Sequence, residues 1–98
     1  MSLVITRYAG QSFTLTWPGG AERVVTVESI GYFFMMISVN HGPATMVARG
    51  SYHTIGVPSH PAVAQLTLAA KVCQGIVIDA PREIRVLRDD AICREAKS

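Results

Sequence analysis

The sequence predicts a mostly β protein in which antiparallel strands are joined by short loops. Runs rich in Val, Ile, Thr and aromatic residues, which favour strands, occupy residues 3–8, 12–17, 23–30 and 32–39. Turn-forming residues separate these runs, most clearly at 17–20 (WPGG) and 40–43 (NHGP), because Gly, Pro and Asn interrupt regular structure. Hydrophobic residues make up 49% and charged residues 16% of the 98 residues, which is typical of a globular chain.

The first four strands follow from alternation and turns. In the third run, Val25 and Val27 alternate with Thr26 and Glu28, the pattern of a half-buried strand. Gly31 ends it. The fourth run, residues 32–39 (YFFMMISV), is apolar at almost every position. It predicts a strand buried on both faces, with its aromatic and methionine residues in the core.

Residues 41–74 allow two interpretations. The first is an insertion that contains a helix over residues 59–71, capped by residues 59–61 (SHP). Pro61 suits its first turn, and Ala62, Leu66 and Ala69 recur at helical spacing. The alternation of residues 64–69 (AQLTLA) predicts a strand instead. The sequence does not separate the two.

The segment 80–90 (APREIRVLRDD) predicts an edge strand with a cationic rim. Pro81 reads as a turn, and residues 83–88 then place Ile84 and Val86 on one face and Arg85 and Leu87 on the other. Asp89-Asp90 predicts the start of a short C-terminal helix, because carboxylates are favoured in a first turn.

Composition limits the function classes. A formal net charge of +2 means that any basic patch depends on placement. Cys73 and Cys93 lack CxxC spacing, which predicts reduced thiols and a cytoplasmic protein. The spacing of His41, His53, His60 and Cys73 matches no metal-ligand pattern. We expect no metal, no cofactor and no enzyme, since nucleophile elbows, phosphate loops and carboxylate pairs are missing.

Two segments resemble a known family. Residues 3–12 (LVITRYAGQS) and 75–90 (GIVIDAPREIRVLRDD) are similar to the opening and closing strands of the carbon storage regulators (CsrA/RsmA), small bacterial RNA-binding translational regulators; residues 23–40 are similar more loosely. The resemblance implies a single domain over 1–98 with an intertwined sheet sandwich or barrel and a short C-terminal helix.

The resemblance also implies a function, namely selective binding of GGA-containing hairpin loops in messenger RNA or small regulatory RNA. In this family the first strand of one subunit lies beside the fifth strand of the other. Tyr8, Asp79 and Leu87 depart from the family's usual Arg, Asn and His. The residues that carry over are Val4, Ile5, Thr6, Arg7, Ala80, Pro81, Ile84, Val86, Leu87 and Arg88.

An alternative from another class is a relative that has lost RNA binding and acts as a protein-interaction module. Between Gly31 and Gln74 the only charged residues are Arg49 and Lys71. Such a low-charge middle segment is either buried or covers an apolar partner.

A possible internal repeat bears on stoichiometry. A shift of about 40 residues matches residues 10–11 with 50–51. With small gaps, it also matches Arg7 with Arg49, residues 25–27 with 66–68, and Pro43 with Pro81. Repeats over 1–43 and 44–98 predict a single-chain pseudo-dimer, in which the strands carrying Arg7 and Arg88 make one complete RNA site and the second site is degenerate. An insertion over 41–74 predicts a homodimer with two sites.

Overall fold

A computed structural model of the chain describes residues 2–69 and 75–88. This part of the chain forms β-strands joined by turns, and it contains no helix of the length and apolarity needed to cross a membrane. The C-terminal helix expected from Asp89 lies outside the described residues. The strands are β1 (Ser2–Thr6), β2 (Ser12–Thr16), β3 (Glu22–Ile30), β4 (Phe34–Val39), β5 (Thr45–Ala48), β6 (Tyr52–Val57), β7 (His60–Leu68), β8 (Gly75–Asp79) and β9 (Arg85–Arg88).

The strands form two antiparallel sheets. One has the order β1-β8-β7-β6 and the other β5-β4-β3-β2-β9. Buried side chains from both sheets join in a hydrophobic cluster, and β5 lies against β6 and β7 of the opposite sheet. The mostly β prediction is therefore confirmed as two packed sheets. The barrel form of it is wrong, because neither sheet closes on itself and each keeps two edge strands.

Alternation along the strands builds the core. Phe13 and Leu15 of β2 point inward, as do Val25 and Val27 of β3, because successive side chains of a strand point to opposite faces. The same period holds in β7, where Ala64, Leu66 and Leu68 are buried and Gln65 and Thr67 are half-buried. The helix alternative for this segment is wrong as far as residue 68, since burial at every second residue outweighs the helical preference of alanine.

The fourth strand begins later than its apolar sequence predicts. The Gly31 amide donates to the Phe34 carbonyl oxygen at 3.0 Å, and Ile30 pairs with Met35. Residues 31–34 therefore form the turn of the β3–β4 hairpin, which carries Tyr32 and Phe33 into solvent at 66% and 73% exposure. The expectation of a fully buried strand holds for Met35 and Ile37 and is wrong for residues 32–34.

The two sheets have related strand orders. Three consecutive strands, β2-β3-β4, form the centre of one sheet, and β6-β7-β8 form three strands of the other. Beyond β4 lies β5, and beyond β8 lies β1. The strand β5, which comes just before β6 in sequence, thus extends the β2-β3-β4 trio. In the same way β1, which comes just before β2, extends the β6-β7-β8 trio. β9 adds a further strand beside β2, whereas no described strand occupies the matching position beside β6.

The pairing registers repeat as well as the order. Val25 faces Phe13 on one neighbour and Val39 on the other. In the second sheet, Leu66 faces His53 and Ile78. The equivalent positions are thus 13 and 53, 25 and 66, and 39 and 78, and all three pairs lie close to the shift of about 40 residues found in the sequence. The two trios therefore have equivalent ladders. Within residues 41–69, β5 extends the sheet of the first trio, and β6 and β7 belong to the other sheet.

The turns before β2 and β6 are also equivalent. Gly10 and Gly50 have φ values of 90° and 86°. The Gln11 amide donates to the Tyr8 carbonyl oxygen at 3.0 Å, and the Ser51 amide donates to the Ala48 carbonyl oxygen at 3.0 Å. These are four-residue turns that need a positive φ at the third residue, which glycine supplies without strain.

The alignment of these two turns shows which residue of the second half is equivalent to Arg7. Counting back from Gly10 and Gly50, Arg7 corresponds to Val47, and Arg49 corresponds to Ala9. Both Arg7 and Val47 are buried. The structure therefore does not reproduce the gapped match of Arg7 with Arg49. Arg7 lies just before the turn over residues 8–11, whereas Arg49 is the second residue of the turn over residues 48–51.

Candidate nucleic-acid interface

β1 is an edge strand with an exposed outer face. Val4 and Thr6 point to solvent, and the alternation continues past the strand to Tyr8, which is 55% exposed. Ile5 and Arg7 point inward. β1 pairs with β8 through Ile5↔Ile76 and Val4↔Val77, and among the described residues it has no neighbour on its other side.

The position of Tyr8 is fixed by the turn that follows it. Its amide donates to Gln11 Oε1 at 2.8 Å, and its carbonyl oxygen accepts from the Gln11 amide. The Gly10 amide donates to the Val27 carbonyl oxygen at 2.8 Å, which ties the turn to β3. The exposed phenol ring therefore stands on a well-anchored backbone.

β9 forms the edge of the other sheet and is also exposed on one face. Ile84 is buried just before the strand, and Val86 packs partly against the core opposite Leu15 of β2. Arg85 and Leu87 point to solvent. This outcome confirms the two faces predicted from the alternation. The backbone of Arg88 pairs with Phe13, and the side chain of Arg88 lies outside the described part of the structure.

The turn before β9 adds a second exposed arginine. The Ile84 amide donates to the Pro81 carbonyl oxygen at 3.1 Å, which closes a turn over residues 81–84. Arg82 and Glu83 are both exposed in this turn. The turn and β9 together present two solvent-facing guanidinium groups, Arg82 and Arg85, and one carboxylate.

β1 and β9 lie at the same side of the sandwich, although they belong to different sheets. The strand β5, at the opposite edge from β9, lies against β6 and β7. Because β6 is the edge opposite β1, this places the β5 and β6 edges together and leaves β1 and β9 together at the other side. The outer faces of β1 and β9, with their connecting turns, are called the β1–β9 face below.

The predicted site residues divide into two groups in this geometry. Val4, Thr6 and Leu87 are exposed on the β1–β9 face, and Pro81 and Val86 are half-buried. The side chains that lie beneath the surface are those of Ile5, Arg7, Ala80 and Ile84. Arg7 is only 2% exposed, so its guanidinium is not part of the solvent-facing surface described here.

Sequence reasoning left three exposed side chains out of the site. Tyr8, Arg82 and Arg85 all lie on the β1–β9 face. For Arg85 the signal was already present, because it shares a face with Leu87 in the alternation of β9. No group of three or more His, Cys, Asp or Glu residues in the described ranges is arranged to hold a metal ion.

Comparison of the chain with family models, with curated proteins and with solved structures gave no match.

Proposed function

We propose that the chain is an RNA-binding protein, a post-transcriptional regulator that grips a GGA-containing hairpin loop of messenger or small regulatory RNA on its β1–β9 face. The observation that carries this proposal is the location of two edge strands at one side of the sandwich, one bearing Val4, Thr6 and Tyr8 and the other bearing Arg85 and Leu87. The strand order also brings together, in one chain, the two sequence segments that resemble the carbon storage regulators.

The chemistry of the face suits unpaired bases. Loop bases expose their hydrogen-bonding edges, which unpaired strand backbone groups can read, and they stack on aromatic rings. Tyr8 supplies a ring, and Arg82 and Arg85 supply charge for phosphates and planar groups for stacking. The small number of arginines predicts modest affinity and a modest dependence on salt.

The buried members of the predicted site act by positioning. Ile5 and Ile84 anchor β1 and the start of β9 in the shared core, and Arg7 lies inward between two exposed residues. Their substitution alters the face through the fold rather than through a lost contact with RNA.

The stoichiometry follows from the strand order. The β1–β9 face combines the first strand of the first half with the last strand of the second half, so we expect one RNA hairpin per chain. The β5–β6 side has no described strand in the position that β9 occupies and carries Val47 where the other half has Arg7. The β5–β6 side therefore corresponds to the degenerate RNA site of the pseudo-dimer.

The direct test is titration of a GGA hairpin by fluorescence anisotropy at several salt concentrations. Arg85→Ala is expected to weaken binding by about 1–3 kcal/mol, roughly 5- to 150-fold. It should also reduce the log–log salt slope by about 0.7, the value for one phosphate contact on a single strand. Arg23→Ala is the matched control, since Arg23 lies on β3 and bonds only the Glu22 carbonyl oxygen among the contacts described. Equal affinities of the wild type and Arg85→Ala would remove this face as the site.

A second candidate function is supported by one observation, the exposure of Tyr32, Phe33, Phe34 and Met46 in the low-charge middle segment. An apolar cluster of this kind is typical of a protein-interaction surface. If the wild type binds no GGA hairpin even at low salt, the RNA proposal fails and a protein-interaction module becomes the better interpretation.

A further inference from the structure

Among the described residues, the two most exposed large hydrophobic side chains lie in the turn between β3 and β4. They are Tyr32 and Phe33, which are called the aromatic tip below. Their ring centroids lie 4.9 Å apart, and the ring planes are close to perpendicular at 86°. Phe34 and Met46 add further exposed apolar surface beside the tip. Exposed aromatic rings grouped at the end of a hairpin indicate a binding surface.

Arg49 holds the aromatic tip in one conformation. Its amide donates to the Phe33 carbonyl oxygen at 2.7 Å, and its Nη1 donates to the Tyr32 carbonyl oxygen at 3.1 Å. Its guanidinium carbon lies 4.2 Å from the Tyr32 ring centroid, which is a cation–π contact. The Gly31 amide closes the turn on the Phe34 carbonyl oxygen. Because the rings are already oriented, a ligand that binds them loses little conformational entropy by ordering the tip.

The charge around the aromatic tip is positive. From Gly31 to Gln74 the sequence contains no Asp or Glu, and its charged residues are Arg49 and Lys71. Aromatic rings beside a guanidinium suit unpaired nucleotides, because bases stack on the rings and phosphates are attracted by the charge. The same rings support the protein-interaction alternative above, but the clamped arginine and the lack of carboxylates in this segment favour a polyanion with flat bases.

The aromatic tip lies at the same end of the sandwich as Tyr8. The Gly10 amide donates to the Val27 carbonyl oxygen, so the turn that carries Tyr8 lies beside Val27. From there β3 continues only to Ile30 before the tip begins, and three residues of strand span about 10 Å. RNA bound at the Tyr8 end of the β1–β9 face therefore needs to extend only a short distance to reach the tip.

A β-bulge separates the Tyr8 turn from the aromatic tip. The register of the β3–β4 ladder shifts between Val27 and Ser29, which leaves Glu28 as the extra residue. A bulge bends its strand and increases the local twist, and bulges are common beside functional sites, where they re-aim side chains. The bulge in β3 thus affects the direction in which the tip leaves the sheet.

We propose that the aromatic tip and Arg49 form a stacking platform for unpaired nucleotides that flank the hairpin bound on the β1–β9 face. The inference rests on the proposed RNA-binding function and adds a second contact region to it. Arg49 lies over the Tyr32 ring, so Phe33 supplies the more open ring for a base. Such stacking tolerates any sequence because every base has a π-face. The platform therefore adds affinity for RNA with unpaired flanks and leaves the selection of sequence to the β1–β9 face.

The test compares two RNAs by fluorescence anisotropy, a blunt GGA hairpin and the same hairpin with unpaired adenosines at both ends. The wild type is expected to bind the extended hairpin about fivefold or more tightly, which is the lower limit for one stacked base. Phe33→Ala should abolish this gain and leave the affinity for the blunt hairpin unchanged. Equal affinities of the wild type for the two RNAs, or a gain that survives Phe33→Ala, would overturn the platform.

Two further variants separate stacking from general apolar contact. Phe33→Trp keeps an aromatic face and should keep the gain, whereas Phe33→Leu keeps an apolar side chain and should lose it. Arg49 bonds the backbone of Phe33 rather than its exposed side chain, so circular dichroism should show the wild-type fold in both. If Phe33→Leu kept the gain, the tip would be an apolar contact surface of the kind that protein partners use, and the platform would be refuted.

Failure of the platform and failure of the proposed function give different results. A wild type that binds the blunt hairpin but gains nothing from the unpaired ends retains the β1–β9 site and loses the platform. Binding of the extended hairpin that depends on Phe33 but not on Arg85 would retain the platform and remove the β1–β9 face as the hairpin site. A wild type that binds neither RNA at low salt would overturn both.

Discussion

The indole Nε1 of Trp17 donates a hydrogen bond to the carbonyl oxygen of Ala62 at 2.8 Å, and this bond joins the two sheets. Trp17 follows β2, and Ala62 lies in β7 of the opposite sheet. The Trp17 side chain is otherwise enclosed by the core. A buried tryptophan needs a partner for its N–H group, and here that partner is a backbone group of the facing sheet.

Removing this bond should destabilise the fold measurably. Trp17→Phe keeps an aromatic ring but leaves the Ala62 carbonyl oxygen without its donor, and we expect a loss of about 1–3 kcal/mol in the free energy of unfolding. Urea unfolding followed by circular dichroism gives the value. Tyr8→Phe is the control, since it alters an exposed ring and should change stability by less than about 0.5 kcal/mol. Equal stability of Trp17→Phe and the wild type would show that the bond contributes nothing.

The two equivalent turns should respond equally to substitution. Gly10→Ala and Gly50→Ala each force a positive φ on a residue with a Cβ atom, although the added atom would meet nothing within 4 Å. We expect each to lower the free energy of unfolding by about 1 kcal/mol through backbone strain alone. Gly31→Ala is the control, because Gly31 is not in the left-handed region and its Cβ would make an ordinary 3.7 Å contact. Unequal costs at Gly10 and Gly50 would argue against equivalent turns.

Arg7 and Arg85 should separate stability from RNA affinity. Arg7→Ala removes a long buried side chain, so a loss of roughly 2–4 kcal/mol in the free energy of unfolding is expected. Arg85→Ala changes an exposed residue and should leave stability within about 0.5 kcal/mol while weakening RNA binding. Thermal unfolding and RNA titration on the same samples give both quantities. If Arg7→Ala retained full stability and lost RNA affinity, its guanidinium would have to contact the ligand directly.

Tyr8 offers a gain-of-binding test. Tyr8→Arg adds a positive charge at an exposed site on the β1–β9 face. We expect tighter binding to a GGA hairpin at low salt and a log–log salt slope that is steeper by about 0.7, as one added phosphate contact requires. Tyr8→Gln supplies the uncharged control. A Tyr8→Arg variant with an unchanged slope would show that the RNA backbone does not lie near the end of β1.

The sequence predicts the strands whose turns and alternation agree. The Gly and Pro residues at 18–20 and the alternation of residues 23–30 defined β2 and β3 to within a residue at each end. The start of β4 was missed because Tyr32 and Phe33 are apolar but lie in a hairpin turn that extends past the core. Composition alone does not state whether an apolar residue has a partner to cover it.

The order of strands in the sheets and the burial of the site residues were harder to predict from the sequence. The ladders β1–β8 and β2–β9 join residues far apart in sequence, and no local pattern specifies them. The four residues of β5 are too few for a periodic signal. The burial of Arg7 is the opposite of what its type predicts, since arginine is mostly exposed. Arg85, by contrast, was identifiable from the alternation of β9.

The exchange of first strands between the two halves has a consequence for how the chain folds. Among the described strands β1 pairs only with β8, so β1 must wait for its partner until residues 75–79 have left the ribosome. Contacts of such high sequence separation slow folding, because loop closure precedes any gain from pairing. Until then the newly made first half exposes the inner face of β2-β3-β4 and a free β1, a species prone to aggregation. Because β1 pairs with β8 and β5 pairs with β4, we expect two fragments divided between Pro43 and Ala44 to regain structure only when mixed.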